Sequence, residues 1–143
     1  MRHLTAAAAV LAACLVAGTA GASSLRVAPT GLNLPAGNAA SSVRVWNNDR
    51  EPISVQVRVF KATMVGGKER LEPTRDVVAS PPMTQLRPGT ENLVRVVRVS
   101  DRPVQAQERY RLLVDELPDP SRMKAGTVNV LVRHSIPVVF EGR

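Results

Sequence analysis

Short alternating runs of apolar and polar residues, separated by Pro, Gly and Asn, constrain the fold of this chain more than any other feature. Ile53–Phe60 is the clearest run, because Ile and Val occupy every second position with Ser, Gln and Arg between them. A period of two is typical of a strand with one buried face. Similar runs are found at Leu25–Leu34, Ser41–Trp46, Val77–Val78, Leu93–Val99, Arg109–Leu117 and Thr127–Phe140. About seven short strands with turn signals between them predict an all-β sandwich of two sheets, with a barrel as the less favoured alternative.

The first 22 residues have the pattern of an export signal. Arg2 gives the chain a basic start, and Leu4–Gly18 is apolar and carries no charge. Ala20-Gly21-Ala22 then provides a small-residue cleavage site before Ser23. The apolar run is too short and too rich in alanine for a membrane span. We therefore expect residues 1–22 to be removed and the remaining chain to form one domain.

The only cysteine, Cys14, lies inside this leader. Cleavage before Ser23 would leave a mature chain without cysteine, which excludes disulfides and thiol catalysis. A second interpretation stays open, because Leu11-Ala12-Ala13-Cys14 resembles a bacterial lipobox. A lipid on Cys14 would attach the protein to a membrane, and we expect membrane contact only in that case.

The chain is basic, with 19 Lys and Arg residues against 12 acids and a formal net charge of +7. Such a charge attracts nucleic acids or anionic lipids when it is concentrated in one patch. Here most of the basic residues are single arginines that alternate with valines, and no basic cluster is interleaved with aromatic residues. The pattern indicates a solvated arginine face, and we expect no nucleic-acid partner.

Neither a catalytic site nor a metal site is apparent in the sequence. His3 lies in the leader, and His134 has no set of His and Cys residues around it that would form a metal site. Asp115 and Glu116 are adjacent, so on a strand they point to opposite faces and cannot work as a carboxylate pair. No glycine-rich phosphate loop and no G-x-S-x-G motif is present. The sequence therefore predicts a protein that is not an enzyme and that needs no cofactor.

Three stretches taken together resemble one protein family. Pro81–Arg95 contains the spacing P-P-x-x-x-L-x-P-G-x-x-x-x-V-R, and Tyr110–Pro118 runs from an aromatic start to Glu-Leu-Pro. Thr127–Phe140 follows as an alternating last strand. This combination is similar to the N-terminal domain of the PapD-like periplasmic pilus-assembly chaperones. The residues of Tyr110–Pro118 and Ser135–Pro137 are more similar to the branch of the family that serves spore-coat-U-type or archaic pili.

The resemblance implies an immunoglobulin-like sandwich of about seven strands in an exported, periplasmic protein. Its partner would be a pilus subunit that lacks one strand, with the outer-membrane usher as a further partner. In that family the first domain lends its last strand to the subunit. Here the lent segment would be Thr127–Val132, in which Val128, Val130 and Val132 would fill the groove of the subunit, with Arg133 beside them. The segment has no lysine, proline or bulge of the kind that protects free edges, although an ordinary internal strand stays a possible alternative.

The resemblance also assigns structural roles to two charged residues. Arg95 falls at the position of the family's mid-domain arginine, which joins a charged network near the domain boundary. Glu116 corresponds to the glutamate at the end of the family's sixth strand. Glu108 lies one position away from the acid that an ungapped alignment would place in the network.

Two positions depart from the family pattern. The best-known members hold the terminal carboxylate of the subunit with an arginine on the first strand and a lysine on the last. These positions are Gly31 and Pro137 here, and neither residue supplies a cation. Arg133 or Arg26 would then have to take their place, since arginine suits a bidentate grip on a carboxylate.

The chain ends at Arg143, where the hinge of the family would lead into a second domain. We therefore expect residues 23–143 to be the chaperone N-terminal domain with the second domain absent, either as a fragment or as a one-domain relative. A second hypothesis stays open: a stand-alone exported or lipid-anchored adhesion or structural module that uses its arginines against an anionic partner. Neighbouring genes for a subunit, an usher and an adhesin would favour the chaperone.

Overall fold

The structure is a computed structural model that describes residues 24–123, 125–126, 128 and 130–143. The expected signal with Cys14 and His3 lies outside the described residues, as do Thr127 and Asn129 of the expected donor segment. These described residues form ten strands: β1 (Leu25–Ala28), β2 (Leu32–Leu34), β3 (Ala40–Asn47), β4 (Ile53–Val65), β5 (Lys68–Pro73), β6 (Val77–Ser80), β7 (Met83–Leu86), β8 (Glu91–Arg98), β9 (Gln107–Glu116) and β10 (Arg133–Glu141). A 3-10 helix, Pro120–Arg122, lies between β9 and β10.

The strands form two sheets. One has the order β1-β3-β8-β6, and the other has the order β2-β10-β9-β4-β5, with β7 also paired to β4. Strands β2 and β10 pair in parallel, whereas the other pairs are antiparallel. The predicted all-β sandwich is confirmed. Among the described residues, no helix is long and apolar enough to cross a lipid bilayer.

The core lies between the two sheets and consists mainly of the alternate aliphatic residues that the sequence pattern predicted. On β4, Ile53, Val55 and Val57 are buried, while the residues between them point to the outer face. Tyr110 and Phe140 are buried as well and meet edge to face, with ring centroids 5.8 Å apart. Each fully buried Val, Leu or Ile side chain of this core stabilises the fold by about 1.5–3 kcal/mol.

Several strand boundaries differ from the sequence-based prediction. The run Leu25–Leu34 is two strands in different sheets, because the chain turns around Pro29 between β1 and β2. Strands β5 and β7 were not predicted. Strand β4 continues beyond Phe60 to a hairpin turn at Gly66-Gly67, where both glycines have positive φ angles of 58° and 77°. Such angles favour glycine and fit a tight two-residue hairpin turn into β5.

One buried polar side chain connects the P-P…P-G motif to the rest of the sandwich. Asn47, at the end of β3, is fully buried. Its side-chain amide nitrogen donates hydrogen bonds to the backbone carbonyls of Glu51 (2.8 Å) and Leu86 (2.9 Å). The backbone carbonyl of Asn47 accepts from the amide of Gly89 at 2.9 Å. The β3–β4 connection and the β7–β8 turn are thereby held together at one end of the sandwich.

Candidate functional site

The last strand has a free edge on one side. Strand β10 pairs with β9 along its whole length, from Arg133 opposite Asp115 to Glu141 opposite Gln107. On the other side, β2 pairs only with Val138–Phe140. Within the residues that the structure describes, the outer edge of β10 from Arg133 to Pro137 therefore has no neighbouring strand. A row of unpaired backbone groups of this kind is a template for another strand.

The strand expected over Thr127–Phe140 begins only at Arg133, so this boundary was wrong. The reason lies in its neighbour, because β9 ends at Glu116 and the chain then passes through Pro118. Val128, Val130 and Leu131 consequently have no paired strand on which to extend. Val132, the residue before β10, still forms hydrogen bonds with the end of β9. Its carbonyl accepts from the amide of Glu116 at 2.9 Å, and its own amide lies 3.4 Å from Glu116 Oε2.

The apolar residues before β10 are largely exposed. Val128 is 90% exposed and Val130 is 80% exposed, whereas Val132 is half-buried. Leu131, between them, is 46% exposed. The sandwich core therefore does not cover the two leading valines.

A charged triad lies on the outer face of the sheet, where this exposed segment joins β10. The carboxylate of Asp115 on β9 accepts from Arg58 Nη2 on β4 (2.6 Å) and from Arg133 Nε on β10 (2.5 Å). Burial alone would raise the pKa of the Asp115 carboxyl, but the hydrogen bonds from Arg133 and Arg58 outweigh it and hold that pKa below its usual range. The triad therefore connects three adjacent strands through a single ionised carboxylate.

Gly31 and Pro137, the two positions that the sequence resemblance assigns to carboxylate-binding cations, are neighbours in space. A Cβ at Gly31 would lie 3.6 Å from the Cγ of Pro137. Arg111 on β9 is paired with Pro137 on β10, and the two side chains lie on the same face of the sheet. Arg111 is held by Glu69 through two hydrogen bonds of 2.7 and 3.0 Å. Sequence reasoning missed Arg111, because only the register of β9 against β10 brings it to this place.

The two candidates proposed to replace those cations lie elsewhere. Arg133 is four positions from Pro137 on the same strand, roughly 13 Å away at the usual rise per residue. Arg26 is on β1 in the other sheet, and its exposed side chain points away from the core that buries Leu25.

The charged network expected around Arg95 is built on a different arginine. Arg95 is exposed on β8, and among the described residues it has no ion pair. Arg98, three positions later, makes a bidentate pair with Glu108, with Nε–Oε2 at 2.8 Å and Nη2–Oε1 at 2.9 Å. The Tyr110 hydroxyl donates to the same carboxylate at 2.9 Å. Because Arg98 is on β8 and Glu108 on β9, this pair joins the two sheets.

His134 is partly buried on β10, and its Nε2 lies 2.9 Å from the carbonyl oxygen of Leu25. In the described part of the chain, no group of three or more His, Cys, Asp and Glu side chains is arranged to hold a metal ion. The site consists instead of a free strand edge, exposed valines and arginines.

Comparison with known families gives one match over most of the chain. Residues 24–141 match the family described as "Pili and flagellar-assembly chaperone, PapD N-terminal domain". No curated protein sequence matches the chain significantly.

Several solved structures have the same fold. The chaperone–tip adhesion subunit complex CsuC–CsuE, from the archaic chaperone-usher Csu pili of Acinetobacter baumannii, matches with 25% identity and a TM-score of 0.73, over 85% of this chain and 58% of that chain. The Salmonella enterica SafA pilin–SafB chaperone complex matches with 20% identity and a TM-score of 0.66, over 87% and 57%. The class 5 fimbriae chaperone CfaA matches with 17% identity and a TM-score of 0.70, over 83% and 57%. The chain spans a little over half the length of each of these structures.

Proposed function

The chain belongs to the family of pili and flagellar-assembly chaperones that contain the PapD N-terminal domain, and on this premise we propose that it holds an incomplete pilus subunit by lending it the segment Thr127–Val132. The resemblance inferred from the sequence is confirmed, and this family is a class of chaperones rather than of enzymes. The proposed mechanism is non-catalytic: the segment completes the subunit until another strand replaces it.

The exposure of Val128 and Val130 carries this proposal. Both side chains are largely exposed. Each valine that a partner buries fully would stabilise the complex by about 1.5–3 kcal/mol. Val128, Val130 and Val132 occupy alternate positions, so the three side chains would enter a partner on one face of an added strand. A groove that lacks one strand is the partner that fits such a row.

The free edge of β10 extends the same surface. Its unpaired backbone groups, from Arg133 to Pro137, follow directly after Val132 in the sequence. Hydrogen bonds along an added strand contribute roughly 1 kcal/mol each. The edge ends where Gly31 and β2 meet Pro137, and this end is where the carboxyl terminus of the subunit would lie, with Arg111 as the nearest cation on that face.

Co-export tests the proposal. The mature chain is produced in a bacterial periplasm with each exported, subunit-like protein encoded beside its gene, and complexes are recovered through a tag on the subunit. We expect the wild-type chain to be recovered and a Val128→Ser/Val130→Ser/Val132→Ser variant to be recovered at least about tenfold less, since tenfold corresponds to only about 1.4 kcal/mol.

A matched control separates position from hydrophobicity. Val78, Leu93 and Val99 are exposed apolar residues outside the segment, and their replacement by serine should leave recovery unchanged. Both triple variants should keep the unfolding free energy within about 1 kcal/mol of the wild type, because most of the replaced side chains are exposed. Equal recovery of the wild-type chain and the Val128/Val130/Val132 variant would refute strand donation.

The usher, the compartment and the processing of the chain belong to the same proposal. We place the protein, from Ser23 onward, in the periplasm, with a chaperone N-terminal domain that delivers subunits to an outer-membrane usher. Mass spectrometry of the exported protein should find Ser23 at its amino terminus. A lipid on Cys14 and recovery in the membrane fraction would instead favour the lipid-anchored interpretation.

A further inference from the structure

Arg133 occupies the point where the exposed segment becomes a paired strand. It is the first residue of β10 and stands opposite Asp115, the first pair of the β9–β10 ladder. Its side chain points to the outer face of the sheet, because the core-facing residues of β10, such as the buried Ile136, lie an odd number of positions away. Any strand that adds to the free edge must pass beside it.

The Arg133 guanidinium is fixed in place and yet accessible. Its Nε donates to Asp115 Oδ1 at 2.5 Å, and its Nη2 lies 3.3 Å from Oδ2. Asp115 is only 6% exposed and is also bound by Arg58, so it forms a rigid support. The Arg133 side chain nevertheless remains 60% exposed. A guanidinium has five N–H donors, and most of those of Arg133 remain available for a second acceptor.

The triad carries an uncompensated positive charge. Two arginines share one carboxylate, and among the described side chains no other acid lies within ion-pair distance of Arg58 or Arg133. An added strand would place a side chain about 5 Å from the Cβ of Arg133, on the same face of the sheet. A carboxylate at that position would gain a charge-assisted hydrogen bond, whereas a cation would be repelled.

We propose that Arg133, positioned by Asp115, selects a pilus subunit that carries an aspartate or glutamate side chain opposite it on the added strand. The inference rests on the proposed strand donation and adds the chemistry of the partner. The acceptor is a side-chain carboxylate of the subunit, because the terminal carboxylate would lie near Pro137, roughly 13 Å further along β10.

The test uses the subunit that is recovered in the co-export experiment. We expect Arg133→Gln to weaken binding about tenfold and to reduce its dependence on salt, as for a lost interfacial ion pair. Arg44→Gln is the matched control, since Arg44 is similarly exposed (57%) but lies in the other sheet. Asp115→Asn should weaken binding less than Arg133→Gln, because the cation remains but loses its support.

Charge reversal identifies the acceptor. Arg133→Glu should abolish recovery, and replacement of one Asp or Glu of the subunit strand by Arg should restore it. A subunit extended by two residues at its carboxyl terminus should still bind Arg133→Gln more weakly than the wild-type chain. Equal binding of this extended subunit by both chains would identify the terminal carboxylate as the acceptor and overturn the inference. Equal binding and salt dependence of Arg133→Gln and Arg44→Gln would also overturn it, while a retained effect of the valine variant would leave strand donation intact. Failure to recover any subunit would refute both.

Discussion

Gly31 and Pro137 lie side by side at the end of the free edge of β10, so that a Cβ at position 31 would be 3.6 Å from the Cγ of Pro137. This distance is an ordinary van der Waals contact, and both residues are exposed. The two positions that the sequence resemblance assigns to carboxylate-binding cations are therefore neighbours, although neither residue carries a charge. The nearest arginine on that face is Arg111, and it is already paired with Glu69.

Cations introduced at positions 31 and 137 should tighten subunit binding. Gly31 has no positive φ angle, and the space beside it accommodates a side chain, so Gly31→Arg combined with Pro137→Lys should fold normally. Two added cations would form charge-assisted hydrogen bonds with the terminal carboxylate of the subunit, and we expect about tenfold tighter binding. Titration by surface plasmon resonance measures the change. The Gly31→Gln/Pro137→Gln pair controls for side-chain size, and equal affinities of the two double variants would contradict the assignment.

Loss of Arg111 should weaken the same interaction. Arg111→Gln removes the cation that faces the Gly31–Pro137 pair, and we expect binding to fall about fivefold to tenfold. Folding should change little, because Glu69 is sufficiently exposed to be solvated by water and ion pairs of this kind contribute about 0–1 kcal/mol. Arg109→Gln is the control, since Arg109 is the next residue along β9 on the same face. A similar loss of affinity for both variants would indicate a general charge effect instead of a specific site.

The Arg98–Glu108 pair should make the fold sensitive to acid. Glu108→Gln leaves Arg98 without its carboxylate although that side chain is only 9% exposed, and we expect a loss of about 2 kcal/mol at pH 7. Hydrogen bonds from Arg98 lower the pKa of Glu108, although burial opposes them. A carboxyl whose folded-state pKa is lowered stabilises the fold above its unfolded pKa of about 4.3, and this contribution disappears as the pH falls through the folded-state value.

Urea denaturation at a series of pH values measures this effect. The difference in unfolding free energy between the wild type and Glu108→Gln should be constant near neutrality and should shrink below about pH 4. Glu91→Gln removes an exposed partner of Arg44 at 3.9 Å and should change stability by less than about 1 kcal/mol. A difference that grows toward acid would contradict the assigned direction of the Glu108 pKa.

The strands that could be predicted from the sequence are those with one face in the core. Strand β4 is an example, since Ile53, Val55 and Val57 alternate with polar residues and are buried. All of β5 is exposed, so no core imposes a period on its sequence, which is mainly charged. Strand β7 has one buried residue, Leu86, which cannot establish a period. The sequences of β5 and β7 therefore show no hydrophobic period from which a strand could be predicted.

The site was predicted less completely, because its geometry depends on register. The valines are visible as a period of two, but the end of β9 at Glu116 determines that β10 begins at Arg133. The same register brings Arg133 to Asp115 and Arg111 to Pro137. Arg98 was overlooked in favour of Arg95 because the motif alone does not tell which arginine lies between the sheets. Pairings of this kind connect residues far apart in sequence, and only the folded chain reveals them.

Asn47 should be the most sensitive polar residue of the sandwich. Asn47→Ala removes both donors to the carbonyls of Glu51 and Leu86, and leaves the buried Leu86 carbonyl without this partner. An unsatisfied buried polar group costs about 1–3 kcal/mol, so we expect a loss of about 3 kcal/mol. Asn48→Ala, at an adjacent exposed position, should change stability by less than about 0.5 kcal/mol. Thermal and urea unfolding of the two variants measure the difference. Equal stabilities would mean that the backbone hydrogen bonds of residue 47 with Gly89 and Thr90 are enough to hold the β3–β4 connection and the β7–β8 turn together.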